Sequence, residues 1–315
     1  MLASCVAQLV WEVYGFRAQS IQSLPTPAFA WRDLVRLQDP REHAYLLRLL
    51  RLPDVQSDMT QTARVLMWLE HNAYPAPRLI PTRTGDLAGT YAPWSSLLLW
   101  FIAGQRGEPN AAQLERLAQA LGQLHALPLA ADADFRQSRC HPMYLSQTTY
   151  QHLAKARSQP TAPHHTLIDT LLTATDVLLT LRDEVCVTHG DCWYANAILT
   201  STGSVTLIDW DRTGIGLPLL EVGYLLLSSH FNLADPLTIQ ADQAKITAIR
   251  QGYCSMHPIH RVTPGQLLSA VRFPLAFQLG EYVAQHDTLP AEDPILHKLS
   301  VRLAATEAIA ELAYQ

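Results

Sequence analysis

Three oxygen-bearing side chains lie close together in the sequence: Asp191, Asn196 and Asp209, with a second acid at Asp211. They fall in the stretch VCVTHGDCWYANAILTSTGSVTLIDWD, residues 185–211. Carboxylates and an amide at this spacing suit phosphoryl transfer. That reaction takes little covalent help from a protein. It needs in-line positioning and cations to neutralise phosphate oxygens. Mg²⁺ takes hard oxygen ligands, commonly one or two carboxylates plus phosphates and water. Asp209 and the Asn196 side-chain oxygen are ligands of that kind. Asp191 is a separate carboxylate that can accept a hydroxyl proton or orient the hydroxyl. Asp211 either joins the metal shell or caps the following turn.

The surrounding pattern predicts how these residues are placed. A β-branched strand over 185–188 ends at His189-Gly190-Asp191. A loop runs to Asn196, a strand follows over 197–200, and a turn at 201–203 returns the chain as a strand over 204–208. This hairpin predicts that Asp209 returns beside Asn196. Upstream, residues 31–37 and 43–50 read as strands about an Asp39-Pro40 turn, with 21–24 as a third. Residues 61–72 read as a helix, 80–81 and 96–102 as further strands. Beyond the boundary at 104–109 the pattern turns helical. Leu114, Leu117, Leu121 and Leu124 recur at helical spacing, and 165–181, 219–228, 241–257, 267–284 and 295–314 follow, with Pro274 expected to start or kink its helix. The expected class is α+β: residues 1–104 a small antiparallel-sheet lobe with one helix, residues 105–315 a larger, mainly helical lobe.

Composition narrows the function. The 315 residues are 48% hydrophobic and 16% charged, with net charge −5, so a globular chain is expected and no basic stripe suggests nucleic acid. Only three of the 23 cationic residues are lysine, the first at Lys155. The five cysteines are scattered without a C-x-x-C pair, which fits neither a disulfide framework nor a zinc site. The start of the chain is a poor signal peptide, with Glu12 in its apolar stretch, and the longest apolar run, 97–103, is too short to span a membrane. A soluble, cytoplasmic protein is expected.

His189-Gly190-Asp191-x4-Asn196 followed by Leu207-Ile208-Asp209-Trp210-Asp211 resembles the signature of the aminoglycoside phosphotransferase and choline/ethanolamine kinase family. Leu121-Gly122-Gln123-Leu124-His125 is similar to its Leu-x-x-Leu-His helix, Phe101-Ile102-Ala103-Gly104 to its hinge, and Leu47-Arg48 to its nucleotide-binding position on the third strand. The resemblance covers residues 30 to 225 or thereabouts. It implies a two-lobed protein-kinase-like fold that moves the γ-phosphate of ATP or GTP to a hydroxyl of an aminoglycoside, amino alcohol or similar metabolite. Asp191 is then the catalytic base and Asn196 and Asp209 hold Mg²⁺. Arg48, Leu99 and Phe101 then contact the nucleotide, and His125 and His189 support the scaffold.

Two departures stand out. The stretch matching the family's phosphate-covering glycine loop, residues 23–28, has prolines and no glycine. The first-helix position where the family commonly has a Glu, partner of the strand-three cation, aligns with Thr62. These motivate an alternative, a kinase-shaped binding protein without turnover. Strand alternation puts Arg48 with Ala44, Leu46 and Leu50, where a snorkelling surface side chain is the bland expectation. Cys192 adjoins the base but has no basic partner nearby. Residues 267–315 carry six acids and three bases. With the resemblance, that excess suggests a cationic acceptor met by Glu221, Glu281 and Asp287, with Asp211 as a further candidate; the competing account is a solvated helical face.

Overall fold

The computed structural model of the chain describes residues 2–25, 32–51, 56–129, 135–158, 164–232, 235, 237–258, 262–286, 289–290 and 292–315. Asp287 and residues 26–28 of the proline-bearing stretch lie outside them. The chain divides into two compact units: Met1–Gln105 with Thr200–Asp211, and Arg106–Leu199 with Arg212–Gln315.

The first unit begins with helix α1 (Leu2–Leu9), which continues as a π-helical turn over Val10–Tyr14. Strands β1 (Ser20–Ser23), β2 (Arg32–Gln38) and β3 (Ala44–Arg51) follow, then helix α2 (Gln56–His71) and strands β4 (Leu79–Ile80), β5 (Gly89–Tyr91) and β6 (Trp94–Trp100). They form one antiparallel sheet in the order β1-β2-β3-β6-β4, with β5 also on β6. The Asp39-Pro40 turn forms because the Asp39 carboxylate accepts from the backbone N–H of Arg41 and His43, each at 2.9 Å, and from the Tyr45 hydroxyl at 3.0 Å. Val6, Leu9 and Val10 cover one sheet face, against Val35, Leu37, Leu47 and Leu49. Burying each such side chain contributes about 1.5–3 kcal/mol. Alternation then points Arg48 to the opposite face, and register sets it between Leu34 and Leu97.

Strand β7 (Gln105–Arg106) spans the division between the units. In the second unit, helix α3 (Ala111–His125) is capped by Asn110, which accepts from Gln113 N–H at 3.0 Å, and it buries the predicted stripe Leu114, Leu117, Leu121 and Leu124. Next come α4 (Pro142–Tyr144), a π-helical stretch over Leu145–Tyr150, α5 (Gln151–Arg157), α6 (His165–Leu179), and strands β8 (Cys186–Thr188) and β9 (Ala197–Leu199). The first unit's second segment carries β10 (Val205–Leu207). Strand β11 (Gly214–Gly216) pairs antiparallel with β8, and helices α7 (Pro218–Ser228), α8 (Gln243–Cys254), α9 (Pro264–Gln285) and α10 (Pro294–Tyr314) complete the unit.

Differences from the expected elements have local causes. Helix α2 begins five residues early, at Gln56. The β5 strand, the 142–157 helical stretch and β11 carry too few periodic apolar residues to be read. Pro274 neither starts nor ends α9; it sits inside the helix. A proline there leaves the carbonyl four residues back, Ala270, without its helical donor. That carbonyl faces α7 at Gly223, where a Cβ would come within 2.1 Å of it. The proline and the glycine thus fit one close helix crossing.

His230 shows how burial fixes a protonation state. Its Nδ1–H donates to the Leu226 carbonyl at 2.8 Å, and Nε2 accepts from Asp242 N–H at 3.1 Å. Burial, aided by the charge of Lys245, lowers its pKa. The neutral ring therefore stabilises the fold fully above the unfolded value of about 6.5, and that contribution is lost as pH falls through and below it. The urea midpoint should drop on going from about pH 7.5 to about pH 5.5, and drop less in His230→Asn. Equal drops in the two proteins would contradict the assignment.

Candidate active site

The loop residues His189 and Gly190, just before Asp191, hang on a buried carboxylate. Glu221 on α7 is 1% exposed and accepts three hydrogen bonds: from His189 N–H at 2.9 Å, Gly190 N–H at 2.6 Å and His125 Nε2–H at 2.9 Å. The other His125 ring nitrogen meets the Tyr253 hydroxyl at 2.7 Å. Gly190 takes the left-handed φ of 80°, and a Cβ there would lie 2.1 Å from the Arg212 carbonyl. Only glycine fits the turn. Gly107 closes the other end of the loop: its N–H donates to Ala197 O at 2.9 Å, and a Cβ would strike Tyr194 O at 2.3 Å.

This frame presents Asp191. Its Oδ2 accepts from Asn196 Nδ2 at 2.9 Å, and its Oδ1 accepts from the Tyr224 hydroxyl at 2.7 Å. Asn196 Nδ2 also donates to the Asp191 backbone carbonyl at 3.0 Å. With the NH₂ end so used, the amide oxygen is the end left for a cation. Burial, the Asp191 charge and the hydrogen bond to it push the Tyr224 phenol well up, so Tyr224 stays a donor. Burial likewise raises the Cys192 thiol well above its ordinary value, reinforced by Glu221 and Asp191, and keeps it protonated.

The first unit carries its own constellation. Arg48 on β3 is buried at 6% exposure. Its Nη2 donates to Asp211 Oδ2 at 2.5 Å, and the Thr62 hydroxyl donates to Asp211 Oδ1 at 3.2 Å. The snorkelling expectation for Arg48 therefore fails: Asp211 draws the guanidinium inward. Arg48 Nε is buried with no hydrogen-bond partner, a donor that a phosphate oxygen would satisfy. Asp209, two residues before Asp211, takes a φ of 69°, a left-handed backbone that concentrates at functional sites in non-glycine residues. Leu99 is buried in the sheet between Leu46 and Leu79. Phe101 lies just past β6, its ring 4.5 Å from the Arg36 guanidinium and its N–H bonded to Ala44 O at 3.0 Å.

The acidic candidates for the acceptor fare differently. Glu221 is sealed inside, with both oxygens bonded, so an acceptor contact there is corrected to loop support. Glu281 is partly exposed and pairs with Arg212 at 3.7 Å. Asp287 lies outside the described residues. Sequence reasoning missed Tyr224, although it stands three residues after Glu221 on one helix. It also missed Arg139, which no apolar periodicity marks. Among the described residues no group of three or more His, Cys, Asp or Glu side chains could hold a metal ion. Mg²⁺ takes few protein ligands, of the oxygen type, when phosphates and water supply the rest.

The profile of the phosphotransferase enzyme family (APH) matches residues 31–261, and the chain belongs to that family. Solved structures with similar folds include amicoumacin kinase in complex with AMP-PNP and Ca²⁺, at 13% identity and TM-score 0.65, covering 98% of this chain and 93% of that one. Spectinomycin phosphotransferase in complex with ADP and spectinomycin aligns at 15% identity and TM-score 0.63, covering 99% and 97%. A microcompartment-associated aminopropanol kinase aligns at 17% identity and TM-score 0.68, covering 99% of each chain. No curated protein matches the sequence. The fold is kinase-like, with an antiparallel-sheet unit and a mainly helical one, and the family is one of phosphotransferase enzymes. No helix among the described residues is long and apolar enough to cross a membrane.

Because Glu221 answers three donors at once, removing it strands them in a dry site. Glu221→Ala should cost about 3–5 kcal/mol in denaturant unfolding. Glu221→Gln, which keeps an acceptor oxygen, should cost less. An unfolding midpoint for Glu221→Ala equal to wild type would refute the anchoring role.

Proposed function

We propose that the protein transfers the γ-phosphate of ATP or GTP to a hydroxyl of a small molecule, with Asp191 as base and Mg²⁺ held by Asn196 and Asp209. The observation that carries this reading is the presentation of Asp191: one carboxylate oxygen is bonded to Tyr224 and the other to Asn196, on a loop fixed by Glu221. A base held this way has one orientation and need not reorganise as the proton moves.

In the reaction, Asp191 accepts the proton of the acceptor hydroxyl as its oxygen forms the new P–O bond. The bond between the γ-phosphorus and the β,γ-bridging oxygen breaks, and the nucleoside diphosphate leaves. Mg²⁺, when bound, supplies neutralisation of the phosphate oxygens. Arg48 contributes a fixed cation toward the phosphates. Its Nη2 is engaged by Asp211, and its remaining donors keep the fork geometry that matches phosphate oxygens. The similar folds solved with AMP-PNP and Ca²⁺, and with ADP, support a nucleotide and a divalent ion as co-substrate and cofactor. Division of labour between residues 1–104 and 105–315 follows the same reading: nucleotide with the first, acceptor with the second.

Asp191→Asn keeps an oxygen for Tyr224, removes the basicity and gives up the hydrogen bond from Asn196 Nδ2. Turnover should fall about 10²–10⁴-fold in a coupled nucleotide-consumption assay, with the protein still folded in a thermal melt. Near-normal turnover in a folded Asp191→Asn protein would end the assignment.

A further inference from the structure

A second set of side chains gathers near Asp191, and the roles above leave it unused. Tyr224, bonded to Asp191, stacks on Phe277 of α9 with ring centroids 6.1 Å apart. The guanidinium of Arg139 lies 4.1 Å from the centroid of the same Phe277 ring. A second guanidinium, Arg302 of α10, lies 3.8 Å from the ring centroid of Phe231. The carbonyl of Phe231 accepts the Tyr194 hydroxyl from the catalytic loop at 3.3 Å. Lys298 stands four residues before Arg302, on the same helix face. Two arginines thus sit on aromatic platforms, Arg139 within the field of Asp191 and Arg302 within that of Tyr224, and a lysine backs Arg302.

These cations lack the partners that buried cations normally have. Among the described residues, Arg139, Lys298 and Arg302 make no hydrogen bond or close ion pair to a carboxylate. Arg302 Nε is buried with no hydrogen-bond partner among the described residues. Burial, and then the charge of Arg302, lowers the Lys298 ammonium; burial also lowers Arg302, partly offset by Tyr224. For Arg139, burial pulls down while Asp191, Tyr224 and Glu281 hold it up, and the net direction is upward. The carboxylates in the neighbourhood are already committed, Asp191 to its two hydrogen bonds and Glu281 to Arg212 at 3.7 Å. Partly desolvated cations beside one another are unfavourable until an anion joins them.

We propose that the acceptor is a hydroxylated oxyanion, a carboxylate or phosphate ester, gripped by Arg302 and Arg139 with Lys298 behind, its hydroxyl directed to Asp191. This rests on the phosphotransfer reading above and names the substrate class of the same site. The sign is opposite to the cationic acceptor suggested by counting acids in residues 267–315. Guanidinium groups suit the task because their planar fork meets carboxylate and phosphate oxygens two at a time.

The test compares compounds of one skeleton and different charge. The first series is 3-amino-1,2-propanediol, glycerol, glycerate and glycerol 3-phosphate. The second is glucosamine, glucose, gluconate and glucose 6-phosphate. Binding is read by thermal shift on the full chain, and turnover by coupled nucleotide consumption. The oxyanions should raise the midpoint above their neutral and cationic counterparts, with glycerate and gluconate against the two phosphates deciding carboxylate or phosphate ester. Arg302→Met, which keeps an apolar stem over Phe231, should weaken the bound oxyanion roughly 10–100-fold, the size of a lost charge-assisted hydrogen bond, while Arg302→Lys retains part of it. The proposal is overturned if no oxyanion binds, if cationic or neutral members bind as well, or if Arg302→Met leaves oxyanion binding unchanged. The two readings fail separately. Oxyanion binding with turnover indifferent to Asp191→Asn sinks the base assignment alone, and turnover confined to cationic acceptors sinks the oxyanion site alone.

Discussion

A carboxylate with no exposure to water must be answered by donors, and Glu221 is answered by three. Two are backbone N–H groups of adjacent residues, His189 and Gly190, so the carboxylate fixes the path of the chain as well as a side chain. The third is His125, at the end of α3, itself in contact with Tyr253 of α8. The loop carrying Asp191 is therefore tied to α7, α3 and α8 through one anion. Losing the carboxylate would leave all three donors unsatisfied at low local dielectric, where such groups are most costly. The Leu-x-x-Leu-His pattern acquires a physical meaning here. The leucines bury α3 and its last residue delivers the ring that meets the anion.

The same logic explains the first unit's departures from its family's pattern. A helix Thr in place of a Glu looks like the loss of an ion pair. Asp211 supplies the missing carboxylate from another segment, and Thr62 bonds its second oxygen. The helix position then needs only a short hydroxyl, because the charge has moved to the 3₁₀ turn Trp210–Arg212 that follows β10. An arginine on β3 matches this arrangement. Its fork can meet Asp211 through Nη2 while other donors remain for a ligand, a division a lysine's single ammonium makes less well.

The parts legible in the sequence are those that local pattern controls. The 185–211 block declared its strand, loop and turn because glycine, β-branched runs and polar breaks alternate there. The α3 stripe was legible because four leucines repeat at helical period. For Arg48 the sequence leaves a nucleotide contact and a snorkelling side chain both open, since alternation assigns a face but cannot say that an acid 163 positions away in the chain will be there to draw it in. Glu221 is expected to meet the acceptor because two of the donors that claim it instead are main-chain groups, which a sequence does not display. Pro274 is expected to start or kink its helix when its cost is counted alone, without the Gly223 approach that uses the carbonyl it frees.

Charge around the acceptor region follows the same lesson, since placement outweighs tally. The acids of residues 267–315 are largely spent on structure or solvent. Asp293 caps α10 through Ile295 and Leu296 N–H, Glu307 pairs with Arg272 at 2.8 Å, and Glu281 meets Arg212. Two of the three bases of that segment are drawn out of bulk water, Arg302 against an aromatic ring and Lys298 partly desolvated beside it. Exposed acids on helix surfaces act on a ligand through screened water, over roughly a Debye length of 8–10 Å. Guanidinium groups stacked on Phe231 and Phe277 act at contact distance in a drier setting, where each charge counts for several times more. A local excess of acids in the sequence is therefore compatible with a binding surface of the opposite sign, and the stacked arginines decide which sign a ligand meets first.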